Sequence, residues 1–399
     1  MTEQAAGSRV DDLLASNTDM AREPQPTYEM LRRSSPILRL EGVGVLASSR
    51  AAVDEILREP EVFSSNMSAT DLKNRRPLIP LQIDPPAHRN YRKILDPLFA
   101  PQRMKLLEEP ITGLVNELID AFADDDEIDF ARQFSVPFPS QVFLTMLGLP
   151  LEELPRFLTM KDGIIRPDHA TGEPRGTAVT EEHQQATADS IYAYFEELLA
   201  ERRQAPRDDI VSHFLNAEVD GHRLSHEDIL DICFLFLIAG LDTVTASLDC
   251  FYGHLSQHPE ARRHVVEHPE SIPDVVEELL RWETPVMAVV RIATRDAEIA
   301  GCPVHQGEQV MALIGAANLD DTECPDAGEL HWDRDVNRHI AFGGGIHRCL
   351  GSHLARLELR VALGEWHRRI PEYRLKPGVE LDFTPGIRAV DTFPLLLGP

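Results

Sequence analysis

Several features are scarce or absent in this 399-residue chain, and each absence excludes a class of protein. Aromatic residues make up only 6%, and the five cysteines include no Cys-x-x-Cys pair. An odd, unpaired count of cysteines excludes a disulfide-rich secreted protein and predicts a reducing, cytoplasmic location. Lysine and arginine total 39 against 66 aspartates and glutamates, and the resulting net charge of −27 disfavours nucleic acid, whose phosphates would be repelled.

Long apolar segments are also missing. The longest uninterrupted one, residues 232–241, is too short to cross a bilayer, so we predict no membrane span. Residues 1–27 are polar and lack the apolar core of a secretory signal, and we expect them to form a flexible N-terminal segment. No repeat or Gly/Ser linker divides the chain, so we expect residues 1–399 to form a single domain.

The remaining pattern is mostly helical, with a minor β portion. A hairpin is predicted at residues 36–46, a helix at 50–57, and a strand–turn–strand unit at 297–313. Residues 167–189 are rich in Pro, Gly, Thr and Glu, which is typical of a long mobile loop between helices that acts as a lid.

A long buried helix is predicted from Ser225, which with Asp228 has the character of a capping box, to the stop at Pro259. Its apolar surface is interrupted at residues 239–243, where Gly240 and the pair Asp242–Thr243 occur. Two interpretations stay open from the residues alone. In the first, Asp242 is a core acid with a partner, and the Thr243 hydroxyl bonds back to the preceding turn. In the second, the small residues admit a ligand, and the acid–alcohol pair relays protons to it.

The most specific motif is the run Phe-Gly-Gly-Gly-Ile-His-Arg-Cys-Leu-Gly at residues 342–351, directly before an apolar helical pattern. Glycines allow a tight turn that aims N–H groups inward. The following helix and the neighbouring Arg348 favour the thiolate form of Cys349. Without a matching His and Asn or Asp for nucleophilic catalysis, a single metal ligand is favoured, and a haem iron fits best.

In these residues the chain resembles the cytochromes P450, which are haem-thiolate monooxygenases. Residues 342–351 match the family's cysteine-ligand loop without a gap, and residues 239–243 match its oxygen-activating helix motif. Residues 278–281 match its Glu-x-x-Arg motif. The matches run from about residue 80 to 351, and the pattern is closest to the camphor-hydroxylating member. The resemblance implies a mainly α fold, a triangular helical prism around a buried haem with a small β region.

The resemblance also assigns roles to individual residues. Glu278, Arg281 and Arg334 would form a structural scaffold under the cysteine loop, and Cys349 would be the metal ligand. Asp242 and Thr243 would deliver protons, with Arg166 paired to Asp242 as a gate. The residues implied in binding haem b (iron protoporphyrin IX) are His88, Arg92, Arg291, Phe342, Gly343, His347 and Cys349.

The implied reaction inserts one oxygen atom of dioxygen into a small hydrophobic substrate, such as a terpenoid, a steroid or a fatty-acid-like molecule. A tyrosine that binds substrate in the camphor enzyme is replaced here by Arg76, so camphor itself is not expected. The residues implied in lining the substrate pocket are all apolar, namely Leu78, Ile79, Leu235, Ile238, Ala239, Met287, Val289 and Ile387.

Electrons are expected from an iron–sulfur ferredoxin and its NAD(P)H-dependent reductase, with no flavin or NAD(P)H bound on this chain. Residues 88–105 hold five cationic side chains against Asp96, and Arg348, Arg356 and Arg360 flank the cysteine loop. A basic surface on an acidic protein favours docking of an acidic carrier. Two alternatives remain: a peroxide-driven haem-thiolate peroxygenase, and a haem-binding sensor without turnover.

Overall fold

The computed structural model describes residues 18–40, 44–66 and 72–398. Helices dominate, and the longest lies at the centre of the largest apolar cluster. The α-helices are α1 (Thr18–Arg22), α2 (Pro24–Ser34), α3 (Arg50–Arg58), α4 (Ala87–Leu95), α5 (Pro101–Met104), α6 (Glu108–Asp120), α7 (Pro137–Met146), α8 (Leu154–Ile165), α9 (Pro167–Thr171), α10 (Ala178–Gln204), α11 (Ile210–Asn216), α12 (His226–Gln257), α13 (Pro259–Glu267), α14 (Ile272–Glu283), α15 (Ile314–Asn318) and α16 (Ser352–Arg369).

The β structure is small and peripheral. Its strands are β1 (Ile37–Leu40), β2 (Gly44–Ala47), β3 (Phe63–Ser64), β4 (Glu127–Asp129), β5 (Glu218–Val219), β6 (His222–Arg223), β7 (Val289–Ala293), β8 (Ala297–Ile299), β9 (Cys302–Val304), β10 (Gln309–Ala312), β11 (Tyr373–Leu375) and β12 (Pro394–Leu397). One sheet has the order β1-β2-β10-β7-β3, a second has β11-β12-β4, and two hairpins stand apart. Only the β2–β10 pair of the larger sheet is parallel.

The hairpin predicted at residues 36–46 forms as β1 and β2, in the register Ile37 to Ala47, and its turn at 41–43 lies outside the described residues. The strand–turn–strand unit forms β8, β9 and β10, with Gly301 and Gly307 at φ of 83°. The side chain of Ser49 caps the helix predicted at 50–57 and accepts a hydrogen bond from the Ala52 N–H.

The central helix α12 begins with the predicted capping box. The Asp228 N–H donates to the Ser225 hydroxyl at 3.0 Å, and the Ser225 N–H donates to the Asp228 carboxylate at the same distance. Alone among the described helices, α12 is long and apolar enough to cross a membrane, and 78% of its most apolar stretch is buried inside the protein. Such burial is typical of a core helix.

Two segments that were expected to be flexible are largely helical among the described residues. The lid predicted at 167–189 is mostly helical, since α9 ends at Thr171 and α10 begins at Ala178. The Thr177 hydroxyl caps α10, and buried Thr180 and Ala188 pack its inner face. The exposed polar residues that suggested a loop lie mostly on its outer face. Residues 18–27, predicted as part of a flexible terminus, lie in α1 and α2 except for Glu23, while residues 1–17 lie outside the described residues.

Candidate haem-thiolate site

The cysteine loop is shaped by two glycines with positive φ. Gly343 has a φ of 69° and Gly345 a φ of 62°, in the left-handed region that other residues rarely adopt. A Cβ at Gly345 would lie 2.0 Å from the Leu57 carbonyl oxygen, so this position also requires the absence of a side chain. The loop then closes on itself, because the Cys349 N–H donates to the Phe342 carbonyl at 2.9 Å.

The side chain of Cys349 has accessible surface but lies in dense protein surroundings. Cys349 is exposed by surface area, yet surrounding protein atoms raise its pKa through burial. The Gly351 N–H and the positive charges of Arg92, Arg348 and Arg356 act in the opposite direction with smaller effect. The expected stabilisation of the free thiolate is therefore outweighed by burial. A bound metal cation would stabilise the thiolate instead, because metal ligation displaces the thiol proton.

A cation–carboxylate cluster anchors the aromatic end of the loop. The Arg356 guanidinium lies 4.4 Å from the centre of the Phe342 ring and donates to Glu277 at 2.6 and 2.7 Å. His339 Nε2 lies 2.9 Å from the same carboxylate. These hydrogen bonds help to lower the pKa of Glu277 to about 2, against the opposing effect of burial. Sequence reasoning missed Glu277, although it adjoins the Glu-x-x-Arg motif.

The predicted scaffold residues come together in a buried network. Arg281 donates to both oxygens of Glu278 at 2.7 and 2.8 Å, and Arg334 Nε lies 2.9 and 3.0 Å from the same two oxygens. Glu278 and Arg281 are at most 1% exposed. Arg281 also donates to the carbonyls of Asn318, Ala327 and Glu329. The network therefore fixes the chain that leads towards the cysteine loop.

A group of basic side chains gathers near the loop, and one of them, the buried Arg291, has no acidic partner among the described residues. The rings of His88 and His347 lie 4.4 Å apart, and His347 Nε2 is 2.6 Å from the Ser65 hydroxyl. Among the described residues Arg291 forms no ion pair, and its guanidinium donates only to the adjacent Val290 carbonyl. Burial lowers the pKa of Arg291 to about 10.

The surroundings of His347 in this cluster make its imidazole less basic. Burial, together with the charges of His88, Arg291 and Arg92, lowers the pKa of His347 to about 3. His88 Nε2 is buried and has no hydrogen-bond partner within the described residues. Buried donors and cations of this kind require an anion, since unpaired polar groups in the interior are costly. The residues present therefore fit a ligand with two carboxylates beside Cys349, as in haem b.

Arg92, also predicted to contact the propionates, is engaged elsewhere. Its Nε donates to Asp96 at 2.6 Å and its Nη1 donates to the Arg348 carbonyl at 2.8 Å. It therefore ties α4 to the cysteine loop, and its charge contributes to the cluster from there.

The middle of α12 keeps accessible surface between two buried stretches of the helix. Ala239 is exposed and Ile238, Gly240 and Thr243 are half-buried. The Thr243 hydroxyl donates to the Ala239 carbonyl at 3.1 Å. A Cβ at Gly240 would lie 2.9 Å from the Phe143 ring, so this glycine is explained by close packing.

Asp242 is 2% exposed and is neutralised by two cations. Lys161 Nζ lies 3.2 Å and Arg166 Nη2 lies 3.5 Å from its Oδ1. Arg166 also donates to the half-exposed Asp391 at 2.7 Å. The structure thus places Arg166 beside Asp242, and it adds Lys161, which sequence reasoning missed although it is a lysine between the apolar residues Met160 and Ile164.

The eight residues assigned to the substrate pocket fall into two groups. Leu78, Ile79, Leu235 and Met287 are at most 7% exposed, as in ordinary packing. Ile238, Val289 and Ile387 are half-buried, and Ala239 is exposed. The second group retains surface for contact with a ligand.

Comparison with known proteins agrees with this geometry. The family model described as "Cytochrome P450" matches residues 39–370. The chain belongs to the cytochrome P450 family. It is 34% identical to the steroid C26-monooxygenase of Mycobacterium tuberculosis strain H37Rv over 91% of this chain and 90% of that protein. It is 35% identical to the probable cytochrome P450 127A1 of Sinorhizobium fredii over 86% and 81%.

Solved structures of P450 enzymes have the same fold. The structure of CYP109E1 from Bacillus megaterium in complex with testosterone has a TM-score of 0.86 and 28% identity, and it covers 96% of this chain and 100% of that one. P450BioI in complex with an acyl carrier protein carrying hexadec-9Z-enoic acid has the same TM-score at 27% identity, over 95% and 100%. The expected P450 fold, monooxygenase class and haem b cofactor are therefore confirmed at the level of the family.

Proposed function

We propose that this P450 hydroxylates a small hydrophobic substrate, and that steroid-like molecules are the first class to test. The observation that carries the proposal is the open stretch of α12, where exposed Ala239 and half-buried Thr243 are backed by the neutralised carboxylate of Asp242. An apolar wall with one proton-bearing pair suits oxygen insertion into a substrate that is oriented by shape.

Cys349 would hold the haem iron, while His88, Arg291 and His347 would bind the propionates. When bound, the cofactor supplies reductive activation of dioxygen, and the thiolate ligand favours O–O cleavage. Protons would be delivered by side chains of the protein. Arg166 links half-exposed Asp391 to Asp242, which gives protons a guided entry, and Asp242 is itself 2% exposed and so is shielded from bulk water.

Thr243 would receive those protons at the cavity. Its hydroxyl donates to the Ala239 carbonyl and can rotate to donate into the cavity instead, because the side chain is only half-buried. Asp242, the preceding residue, would reload it with a proton.

The substrate class rests on the relatives and on the apolar surface. The curated relatives include steroid C26-monooxygenases, a vitamin D(3) 25-hydroxylase and a mycinamicin IV hydroxylase/epoxidase. Arg76 pairs with Asp228 at 2.7 Å and with Asp231 at 3.2 Å, so it is already committed within the protein and does not offer a free polar contact to a substrate. A shape-selected, polycyclic molecule fits these facts.

Two measurements test this reaction. Haem-loaded protein should give a red-shifted Soret band after reduction and addition of carbon monoxide, and testosterone should displace the iron-bound water with a spectral shift. Product that carries an added hydroxyl, formed with NAD(P)H, a ferredoxin and its reductase, would establish the activity. Turnover with hydrogen peroxide alone would instead favour the peroxygenase, and tight ligand binding without any product would favour a sensor.

We propose an acidic iron–sulfur ferredoxin as the electron donor, in a cytoplasmic setting. Arg89, Arg103, Lys105, Arg348 and Arg360 are exposed on the segments that flank the cysteine loop. Because charge attraction between exposed surfaces is screened by salt, turnover should fall steeply as ionic strength rises. Turnover that is insensitive to salt would contradict this docking surface.

A further inference from the structure

A loop near the C-terminus, residues 385–391, lies between the end of α14 and the central helix. The Met287 N–H donates to the Gly386 carbonyl and the Arg388 N–H donates to the Pro285 carbonyl, each at 2.9 Å. Ile387 forms an isolated antiparallel bridge with Val286. Arg388, Ala389 and Val390 are at most 2% exposed, whereas Ile387 is half-buried. The loop therefore keeps one apolar side chain with free surface.

Asp249 of α12 holds this loop from the other side. It lies seven residues after Asp242, two helical turns along the same face, and it is fully buried. Its Oδ2 accepts the Val390 N–H at 3.0 Å, and its Oδ1 accepts the hydroxyl of Ser135. Cys250, the next residue, contacts the Arg388 carbonyl at 3.4 Å. None of these contacts has a part in proton delivery.

A carboxylate is a costly way to hold one backbone N–H in the core. Within the described part of the chain Asp249 has no ion pair, so its charge is balanced only by two hydrogen bonds. Burial raises its pKa to about 7 despite those hydrogen bonds. The acid therefore changes its charge near neutrality, and its hold on Val390 changes with it, because an ionised acceptor binds an N–H more strongly.

We propose that Asp249 is a positioning residue for substrate, which fixes loop 385–391 through the Val390 N–H so that Ile387 forms one wall of the haem cavity. The proposal rests on the proposed function for the assignment of Ile387 to the cavity. The sequence pattern singled out Asp242 in α12 and gave no role to Asp249.

Few charged groups surround Asp249, so a change in its own protonation can be measured separately. Asp242 on the same helix raises its pKa and Arg166 at the end of α8 lowers it. The loop itself carries Arg388, which binds Glu283 at 2.8 Å, and Asp391, which binds Arg166 at 2.7 Å. Raising the pH through 7 should ionise Asp249 and tighten the loop.

The test compares haem-loaded wild type with Asp249→Ala, Asp249→Asn and the control Thr245→Val. Thr245 is a buried polar residue on the same helix, and its hydroxyl donates to the Ser135 and Leu241 carbonyls but forms no hydrogen bond with residues 385–391. Two quantities are measured: hydrogen exchange of the peptide 385–392, and the ratio of the Kd values of imidazole and 4-phenylimidazole for the iron. Imidazole reports access to the iron, while the phenyl group probes the cavity wall.

For Asp249→Ala we expect exchange at Val390 to rise about tenfold, as for the loss of one hydrogen bond to a charged acceptor. The Kd ratio should change about fivefold, as for a displaced aliphatic wall, while Thr245→Val stays near wild type. Asp249→Asn keeps an acceptor without titrating. With both Kd values expressed for the neutral azole, the wild-type change in the ratio between pH 6 and pH 8 should therefore vanish.

The proposal is overturned if exchange is unchanged in Asp249→Ala, or if it rises while the Kd ratio stays at the wild-type value. A pH response that persists in Asp249→Asn would also overturn the role of the carboxylate. Neither azole needs turnover to bind, so a failure of the hydroxylation assay would count against the proposed reaction and leave these results interpretable.

Discussion

Replacing Gly345 by alanine tests whether the shape of the cysteine loop is set by backbone contact. Its φ of 62° disfavours any Cβ by about 1–2 kcal/mol. The Cβ would also meet the Leu57 carbonyl oxygen at 2.0 Å, and backbone cannot move aside as a flexible side chain can. Such overpacking costs about 1–3 kcal/mol more, so we expect a total loss of about 2–5 kcal/mol of folding free energy.

Two neighbouring glycines separate these causes. Gly343 has a φ of 69° but open space where a Cβ would lie, so Gly343→Ala should cost only the conformational part. Gly351 has a φ of −81° and open space, so Gly351→Ala should cost less than about 1 kcal/mol, the usual effect at a helix N-cap.

The assay is the unfolding free energy together with the Soret band of the reduced carbon monoxide complex. Gly345→Ala should lose the red-shifted band or lose haem, while Gly351→Ala keeps both. If Gly345→Ala retained the red-shifted band and matched Gly343→Ala in stability, the close approach to Leu57 would not constrain the loop.

Three further changes have distinct outcomes. Arg166→Ala should lower product formation about tenfold and divert NAD(P)H to peroxide. The control Arg175→Ala removes an exposed ion pair with Asp168 and should have neither effect. If both variants formed the same amount of product per NAD(P)H consumed, the gate would be refuted. Glu278→Gln should lower the free energy of unfolding, measured in urea, by about 3–5 kcal/mol, because Arg281 and Arg334 lose their counter-charge. The control Asp274→Asn, at an exposed position, should change it little. Burial lowers the pKa of His367 to about 4, so the unfolded chain takes up this proton first as the pH falls below about 6.5. Wild type should therefore lose about 3 kcal/mol more than His367→Gln between pH 7 and pH 4, and parallel pH profiles would contradict this.

Much of the fold follows from local signals. The capping box at Ser225 and Asp228 forms as the sequence indicates, and so does the hairpin of β1 and β2. The error at residues 167–189 has a physical cause. Proline and glycine are typical of turns and loops, but here Thr177 caps a 27-residue helix whose polar outer face is solvated. Composition alone does not distinguish a solvated helix face from a loop.

In the candidate site, too, some residues could be predicted from the sequence and others could not. Motif residues such as Cys349 and Glu278 are recognisable because their spacing is fixed along the chain. Lys161 and Ser65 are not, since their partners Asp242 and His347 lie 81 and 282 residues away. Their contacts depend on how helices and loops pack, which no local pattern encodes. A lysine within an apolar helical stretch was the one available signal of a buried ion pair.

The two carboxylates of α12 show how one helix can give the same side chain two roles. Asp242 lies within 3.5 Å of two cations, Lys161 and Arg166, which balance its negative charge. Asp249 has only hydrogen-bond donors, and burial brings its pKa to about 7. Both connect to residues 385–391, Asp249 through the Val390 N–H and Asp242 through Arg166 and Asp391. The proposed proton entry and the proposed position of Ile387 therefore share one loop. A change at Asp391 removes its contact with Arg166 directly, whereas a change at Asp249 acts first on the loop, through the Val390 N–H.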